Sequence, residues 1–142
     1  MVKGLSARKR DRGVAAVEFA IVVNVFVWLV MGAIDFGYYF FVSEIVTNAA
    51  REGARAGSVV DTSSSVTEAL RQAAWSAQDC LTRGGLKSTT VTIGTSTTTP
   101  SGTTGTGIQV TIAYPVGSLT GFLRPFNLPP ANSNATAVMR WQ

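Results

Sequence analysis

The feature that most constrains this chain of 142 residues is a long apolar segment near its beginning. The run from Phe19 to Ile34 holds 16 residues, of which only Asn24 is polar. The flanks extend this run to the length of about 20 residues that crosses a bilayer as a helix. From Val14 to Val42 the charged or clearly polar side chains are those of Glu18, Asn24, Asp35, Tyr38 and Tyr39. The sequence therefore predicts one membrane-spanning helix, and the remaining length suits one small domain.

The positive charge of the chain is concentrated before this apolar segment. The formal net charge is +4, and the first thirteen residues carry all of it through Lys3, Arg8, Lys9, Arg10 and Arg12 against Asp11. Basic residues beside an apolar helix hold that end in the cytoplasm, so we expect the domain on the opposite side of the membrane. A nucleic-acid-binding protein would carry its basic residues on the folded domain, so we expect no nucleic-acid partner.

The residue types argue against an enzyme. The chain has no histidine and a single cysteine, Cys80, so an internal disulfide, a transition-metal site and a Ser-His or Cys-His nucleophile pair are all excluded. The carboxylates of Asp61, Glu68 and Asp79 suit helix capping and solvation better than paired acid–base work. We therefore expect no catalytic residues, no metal and no other cofactor, and we expect Cys80 to be a buried, unpaired thiol.

The helix is predicted to continue beyond the apolar segment, over residues 14–57, because no proline or turn cluster interrupts it. In its second half, Glu44, Arg51 and Arg55 share one face, which suits solvent. Three small residues, Ala49, Gly53 and Gly57, share another face at a spacing of four. Such a stripe suits the close approach of another backbone, but an ordinary solvated face is equally compatible with it.

A second helix is predicted over residues 66–81. Ser65 and Glu68 have the spacing of a capping box, and the "RGG" at 83–85 ends the helix. The expected apolar stripe consists of Val66, Leu70, Ala73, Ala74, Ala77 and Leu81.

The remainder of the chain has strand character. Apolar and polar residues alternate in three segments, at residues 88–97, 106–116 and 135–142. A hairpin loop is expected at 100–107, and a longer connection at 117–134 in which Phe122, Leu123, Phe126 and Leu128 fold back on the sheet. The predicted fold class is α+β, with a small antiparallel sheet of about three strands. We divide the chain into a basic leader without expected structure (1–13), the long helix (14–57) and an extracytoplasmic domain (58–142).

Glu18 stands among apolar residues, where a charged side chain is normally paired or functional. A secretory signal peptide would be cut after its apolar run, but here the run continues into the helix. The candidate cleavage point lies instead between Gly13 and Val14. Val14 would then carry a new, largely positive α-amino group, and Glu18 would be the fifth residue of the mature chain. Two interpretations of Glu18 remain open, namely pairing with the α-amine of a neighbouring subunit and simple hydration near the headgroups.

This arrangement of basic leader, glycine, four apolar residues and glutamate resembles the processing site of type IV pilins and pseudopilins. The segments "GVAAVEFAIVV", "GAIDFGYYFFV" and "VTNAAREGARAGSV", within residues 13–58, resemble the amino-terminal signature of TadE-like minor pilins of the tight adherence (Flp) pilus system. On this resemblance, the signature positions are Asp35, Phe36, Gly37, Asn48, Arg51, Glu52, Gly53 and Arg55. Asp35 also marks the outer end of the apolar run, as an interfacial carboxylate. Phe19 differs from the tyrosine that major Flp pilins favour after the glutamate, which indicates a minor pilin.

The resemblance implies cleavage after Gly13 by a prepilin peptidase and a role for Glu18 in assembly. It implies that the partners are other minor and major pilins, the inner-membrane pilus assembly platform and the lipid bilayer. The protein would cross the bacterial inner membrane once, with its amino terminus in the cytoplasm, before it contributes to a pilus for surface attachment. The alternative function is an unprocessed, single-pass membrane-anchored binding module whose outer domain recognises an envelope or surface partner.

Overall fold

The computed structural model describes residues 5–61, 64–87, 92–99, 105–121, 124–126, 128 and 130–141, with side chains from Gly13 onward except that of Arg124. The elements are the helices α1 (Leu5–Ser58) and α2 (Val66–Arg83), the strands β1 (Thr92–Thr98), β2 (Gly107–Pro115) and β3 (Asn132–Arg140), and a 3-10 turn at Arg124–Phe126. The predicted α+β class and the three-stranded antiparallel sheet are confirmed.

Helix α1 is 54 residues long and belongs to two environments. Every side chain from residue 13 to residue 31 is exposed, whereas Val42, Val46, Ala49 and Ala54 are buried in the domain core. The expectation of no structure before residue 14 is wrong for residues 5–13, which are helical. Leucine, alanine, arginine and lysine favour helix, and extending a helix that already exists requires no new nucleation.

Helix α2 packs against α1 along the small-residue stripe. A Cβ atom added at Gly53 would lie 2.8 Å from the carbonyl oxygen of Ala73 and 2.8 Å from the Cβ of Ala77. A Cβ added at Gly57 would lie 2.8 Å from the Cβ of Ala73 and 3.0 Å from the carbonyl oxygen of Ala69. The question that the sequence left open is therefore settled, because this stripe is the contact surface for the chain's own second helix.

The amino-terminal cap of α2 is confirmed for Ser65 but not for the full capping box, and the buried face of the helix is displaced. The Ser65 hydroxyl accepts a hydrogen bond from the Glu68 backbone N–H at 3.3 Å. The side chain of Glu68 pairs with Arg71 instead of completing the capping box. The buried positions are Ala69, Ala73, Ala77 and Leu81, whereas Val66, which was expected in the stripe, is exposed. Alanines occupy the positions of α2 that face Gly53 and Gly57, because the two helices are so close there that no side chain larger than a methyl group fits.

The sheet has the order β1-β2-β3, with both pairs antiparallel. Central strand β2 contributes Ile108, Val110 and Ile112 to the core, all fully buried. Helix α1 lies over β2 and β3, and α2 lies over β1 and β2. The carboxyl end of β3 is attached to the end of α1, because the Trp141 indole N–H donates to the Val60 carbonyl at 2.7 Å.

The connection between β2 and β3, which we call the 116–131 loop, is closed at its base by a hydrogen bond from the Val116 N–H to the Ala131 carbonyl at 2.8 Å. The expectation that its apolar side chains fold back on the sheet is wrong for Phe126 and Leu128, which are exposed. Phe122 and Leu123 lie outside the described residues. A polar turn at residues 118–121 makes the contact with the rest of the protein instead.

Candidate functional site

The amino-terminal half of α1 has an apolar segment, Val14 to Ile34, that is largely exposed and is not covered by the domain. We call this segment the apolar rod. By length and composition, Gly13–Ser58 is the one segment of the described chain that is able to cross a membrane, and its apolar window has no part buried in the domain. Large side chains such as Phe19, Phe26 and Leu29 are more than half exposed. Such a continuous apolar surface is incompatible with water, so α1 fits a single-pass membrane anchor.

The proposed cleavage point lies inside α1, near the start of this rod. Gly13 is exposed and has open space around it, since an added Cβ would meet no atom within 4 Å. Val14 and Glu18 are four positions apart and therefore share a helix face. Glu18 is exposed, and no group within the described residues forms a hydrogen bond or ion pair with it. Within the part of the chain whose side chains are described, both interpretations of Glu18, pairing with a neighbouring chain and hydration near the headgroups, stay open.

Asp35 is the most heavily hydrogen-bonded carboxylate in the described part of the chain. Its side chain is fully buried at the point where α1 enters the domain. One carboxylate oxygen, Oδ1, accepts from the Thr120 backbone N–H at 2.8 Å. The other, Oδ2, accepts from the Ser118 hydroxyl at 2.8 Å and the Thr120 hydroxyl at 2.7 Å. We call these residues, with Gly121, the Asp35 network.

The geometry of the polar turn explains why these donors converge. The Gly121 N–H donates to the Ser118 hydroxyl oxygen at 2.8 Å, which orients the hydroxyl hydrogen toward Asp35. Gly121 has a φ of 71°, a conformation that glycine adopts without strain. Three donors satisfy a buried carboxylate and favour its charged form. Sequence analysis placed Asp35 at the outer end of the apolar run but did not predict its hydrogen bonds. The only indication of them was the polar "GSLTG" at residues 117–121, within an otherwise apolar loop.

Removing the Asp35 carboxylate should loosen the membrane-proximal end of the domain. Asp35→Ala leaves the Thr120 N–H and two hydroxyls without their acceptor, and we expect the melting temperature in detergent to fall by on the order of 5 °C. Near-UV circular dichroism follows the melting, because it reports the packing of aromatic side chains. The helix content is a poorer measure, since α1 itself remains helical. Glu44→Ala, at an exposed carboxylate on the same helix, is the matched control and should melt like the parent. Equal melting of Asp35→Ala and the parent would mean that the network contributes nothing to stability.

The other signature positions do not form a single cluster. Gly53 is buried against α2, whereas Phe36 is half-buried and Gly37 exposed. Arg55 pairs with Glu52 at 2.8 Å, Asn48 donates to Glu44, and Arg51 is exposed. Two of the eight positions, Asp35 and Gly53, therefore connect α1 to the domain, and the rest lie along its surface.

Cys80 is only half-buried, so the expectation of a buried thiol is met in part. It packs beside the core on α2, and burial, with smaller contributions from nearby Glu52 and Asp79, raises the pKa of its thiol. A raised pKa lowers the fraction of reactive thiolate. Within the described residues, no group of three acidic, cysteine or histidine side chains is placed to hold a metal ion.

Comparison with known proteins agrees with the amino-terminal motifs. The family model of TadE-like proteins matches residues 13–55, which comprise the apolar rod, Asp35 and the small-residue stripe as far as Gly53. No curated protein and no solved structure matches the chain significantly. The resemblance found in the motifs is thereby confirmed over residues 13–55, and the TadE-like family suggests involvement in the tight adherence pilus system. Over residues 13–55, the chain is therefore similar to the TadE-like family.

Proposed function

We propose that the protein is a minor pilin, or pseudopilin, with a structural rather than a catalytic role in assembly of a tight adherence pilus. A prepilin peptidase removes the basic leader after Gly13. The mature chain is anchored in the inner membrane with its domain on the extracytoplasmic side. It then joins other minor and major pilins at the assembly platform. The pilus in turn attaches the cell to a surface.

The observation that carries this proposal is the exposed apolar half of α1, which continues without a break into the core of the domain. A subunit of this shape is able to leave the bilayer only if another apolar surface replaces the lipid. A bundle of identical or related helices supplies that surface, and Gly13 and Glu18 stand where the resemblance to prepilins requires them. The basic leader supports the orientation, because it is retained in the cytoplasm.

Leader removal is the step that distinguishes this proposal from an unprocessed anchor. We expect the parent chain, isolated from membranes that contain the peptidase, to have lost residues 1–13. Gly13→Leu should remain full length, because the peptidase accepts a small residue at this position and leucine is bulky. Because the surroundings of Gly13 are open, the substitution does not disturb the fold. Intact mass spectrometry reads the result directly.

Gly37→Leu is the matched control, since Gly37 lies on the same helix and is also surrounded by open space. It should be processed like the parent. Normal processing of Gly13→Leu would remove the argument for a prepilin peptidase site. A full-length parent chain would favour the alternative, an anchored binding module.

A further inference from the structure

The depth of Asp35 in the bilayer follows from the length of the apolar rod. Val14 to Ile34 spans 21 residues, which at 1.5 Å per residue is about 31 Å of helix. The hydrocarbon core of a bilayer is about 30 Å thick, so a helix that fills it brings Asp35 to the boundary between acyl chains and headgroups. The apolar surface does not end there, since Phe40 and Phe41, more than one turn further out, are 65% and 58% exposed. Exposed Phe side chains are typical of helix faces that lie at the boundary of headgroups and acyl chains.

The Asp35 network fixes the turn at residues 118–121 at this same depth. Ser118 and Thr120 are hydrogen-bonded to Asp35 on either side of Leu119, so Leu119 has no freedom to move along the membrane normal independently of α1. The Leu119 side chain itself is 64% exposed. It therefore points away from the protein at a level where α1 is surrounded by lipid.

The composition and hydrogen bonding of the loop suit this position. Arg124 is the only charged residue between Val116 and Ala131, and Phe126 and Leu128 expose further apolar surface. Irregular backbone at a membrane boundary is costly unless its polar groups have partners. In the turn that carries Leu119, Asp35 and the Ser118 hydroxyl accept from the N–H groups of Thr120 and Gly121.

We infer that the turn at residues 118–121 is a second membrane contact, in which Leu119 enters the outer leaflet of the bilayer that α1 spans and the exposed Phe126 and Leu128 lie at its surface. The partner is the lipid itself, at the boundary of acyl chains and headgroups. The Asp35 network transmits this contact to α1, so the domain rests on the membrane face instead of standing above it. The inference requires that α1 spans the bilayer, and it is independent of leader cleavage and of pilus assembly.

Depth measurement on the full chain tests this inference. In a Cys80→Ala background, a single environment-sensitive fluorophore is attached at Leu119→Cys, and the protein is reconstituted into vesicles of phosphatidylethanolamine and phosphatidylglycerol. The control site is Thr67→Cys, which is exposed at the membrane-distal start of α2. We expect quenching by aqueous iodide to be several-fold weaker at position 119 than at position 67. Quenching by nitroxide-labelled lipid should follow the opposite order.

Two outcomes would overturn the inference. Equal iodide quenching at positions 119 and 67 would place Leu119 in water. Protection of position 119 from both iodide and lipid nitroxide would show that protein, such as a second copy of the chain, covers the loop. Phe126→Cys provides an independent site, at which lipid quenching stronger than at position 67 is expected, and near-UV circular dichroism verifies that each labelled variant is folded.

Discussion

Gly53→Ala should destabilise the domain even though alanine is the better helix former. The added methyl group would lie 2.8 Å from both the carbonyl oxygen of Ala73 and the Cβ of Ala77, and neither atom is able to rotate away. Such overpacking costs about 3 kcal/mol, the upper end of the usual range, because α1 and α2 must separate. The gain in helix propensity offsets about 1 kcal/mol of this, so we expect a net loss of about 2 kcal/mol in the free energy of unfolding.

Gly37→Ala is the matched control on the same helix. A Cβ at Gly37 meets no atom within 4 Å, so only the propensity term remains, and the variant should gain up to about 1 kcal/mol. Chemical unfolding of the full chain in detergent, followed by near-UV circular dichroism, compares the two variants. Changes of the same sign would contradict the packing of Gly53 against α2.

Glu18→Gln should abolish pilus assembly while leaving insertion and cleavage intact. In the mature chain, we expect the Glu18 carboxylate to pair with the α-amino group of Val14 from a neighbouring subunit. Glutamine keeps the shape of the glutamate side chain but not its charge, so the α-amino group of the neighbouring subunit is left unpaired. An unpaired charge inside an apolar bundle costs several kcal/mol. A loss of about 1.4 kcal/mol per contact already lowers incorporation about tenfold, so surface pili should be nearly absent.

Counting surface pili and co-purifying the variant with the assembly machinery measure this effect, while intact mass confirms cleavage. Glu18→Asp retains the charge and should assemble better than Glu18→Gln. Glu44→Gln, at an exposed carboxylate beyond the apolar rod, should assemble like the parent. If Glu18→Gln supports as many pili as the parent, the charge pair does not exist, and the interpretation of Glu18 as a hydrated residue near the headgroups is correct.

The elements of the fold were predictable because their signals are local. The end of α1 near Gly57 follows from the cluster of turn-forming residues behind it, and the start of α2 follows from the Ser65 cap. The alternation of Ile108, Val110 and Ile112 is enough to identify the buried face of β2, since a strand places every second side chain on one side. The candidate cleavage point and the role of Glu18 stay predictions, which also rest on residues adjacent in sequence.

The contacts between distant residues were not predictable from these signals. The donors to Asp35 come from more than 80 positions further along the chain, and nothing near Asp35 indicates them. The buried face of α2 was displaced for a related reason. Val66 has the periodicity of a core residue but is exposed, whereas Gly53 and Gly57 bring the two backbones so close that the contact accepts alanines. The interpretation of Phe126 and Leu128 in the 116–131 loop was wrong because composition alone does not distinguish exposed from buried apolar residues.

The unbroken course of α1 has a mechanical consequence. A domain on a flexible linker takes up the first part of any pulling force by straightening the linker, and it rotates freely until the linker is taut. Here the helix that fits a membrane anchor also forms one wall of the core, so no flexible linker separates the apolar rod from the domain. Tension applied to the domain therefore passes directly along α1 to the apolar rod.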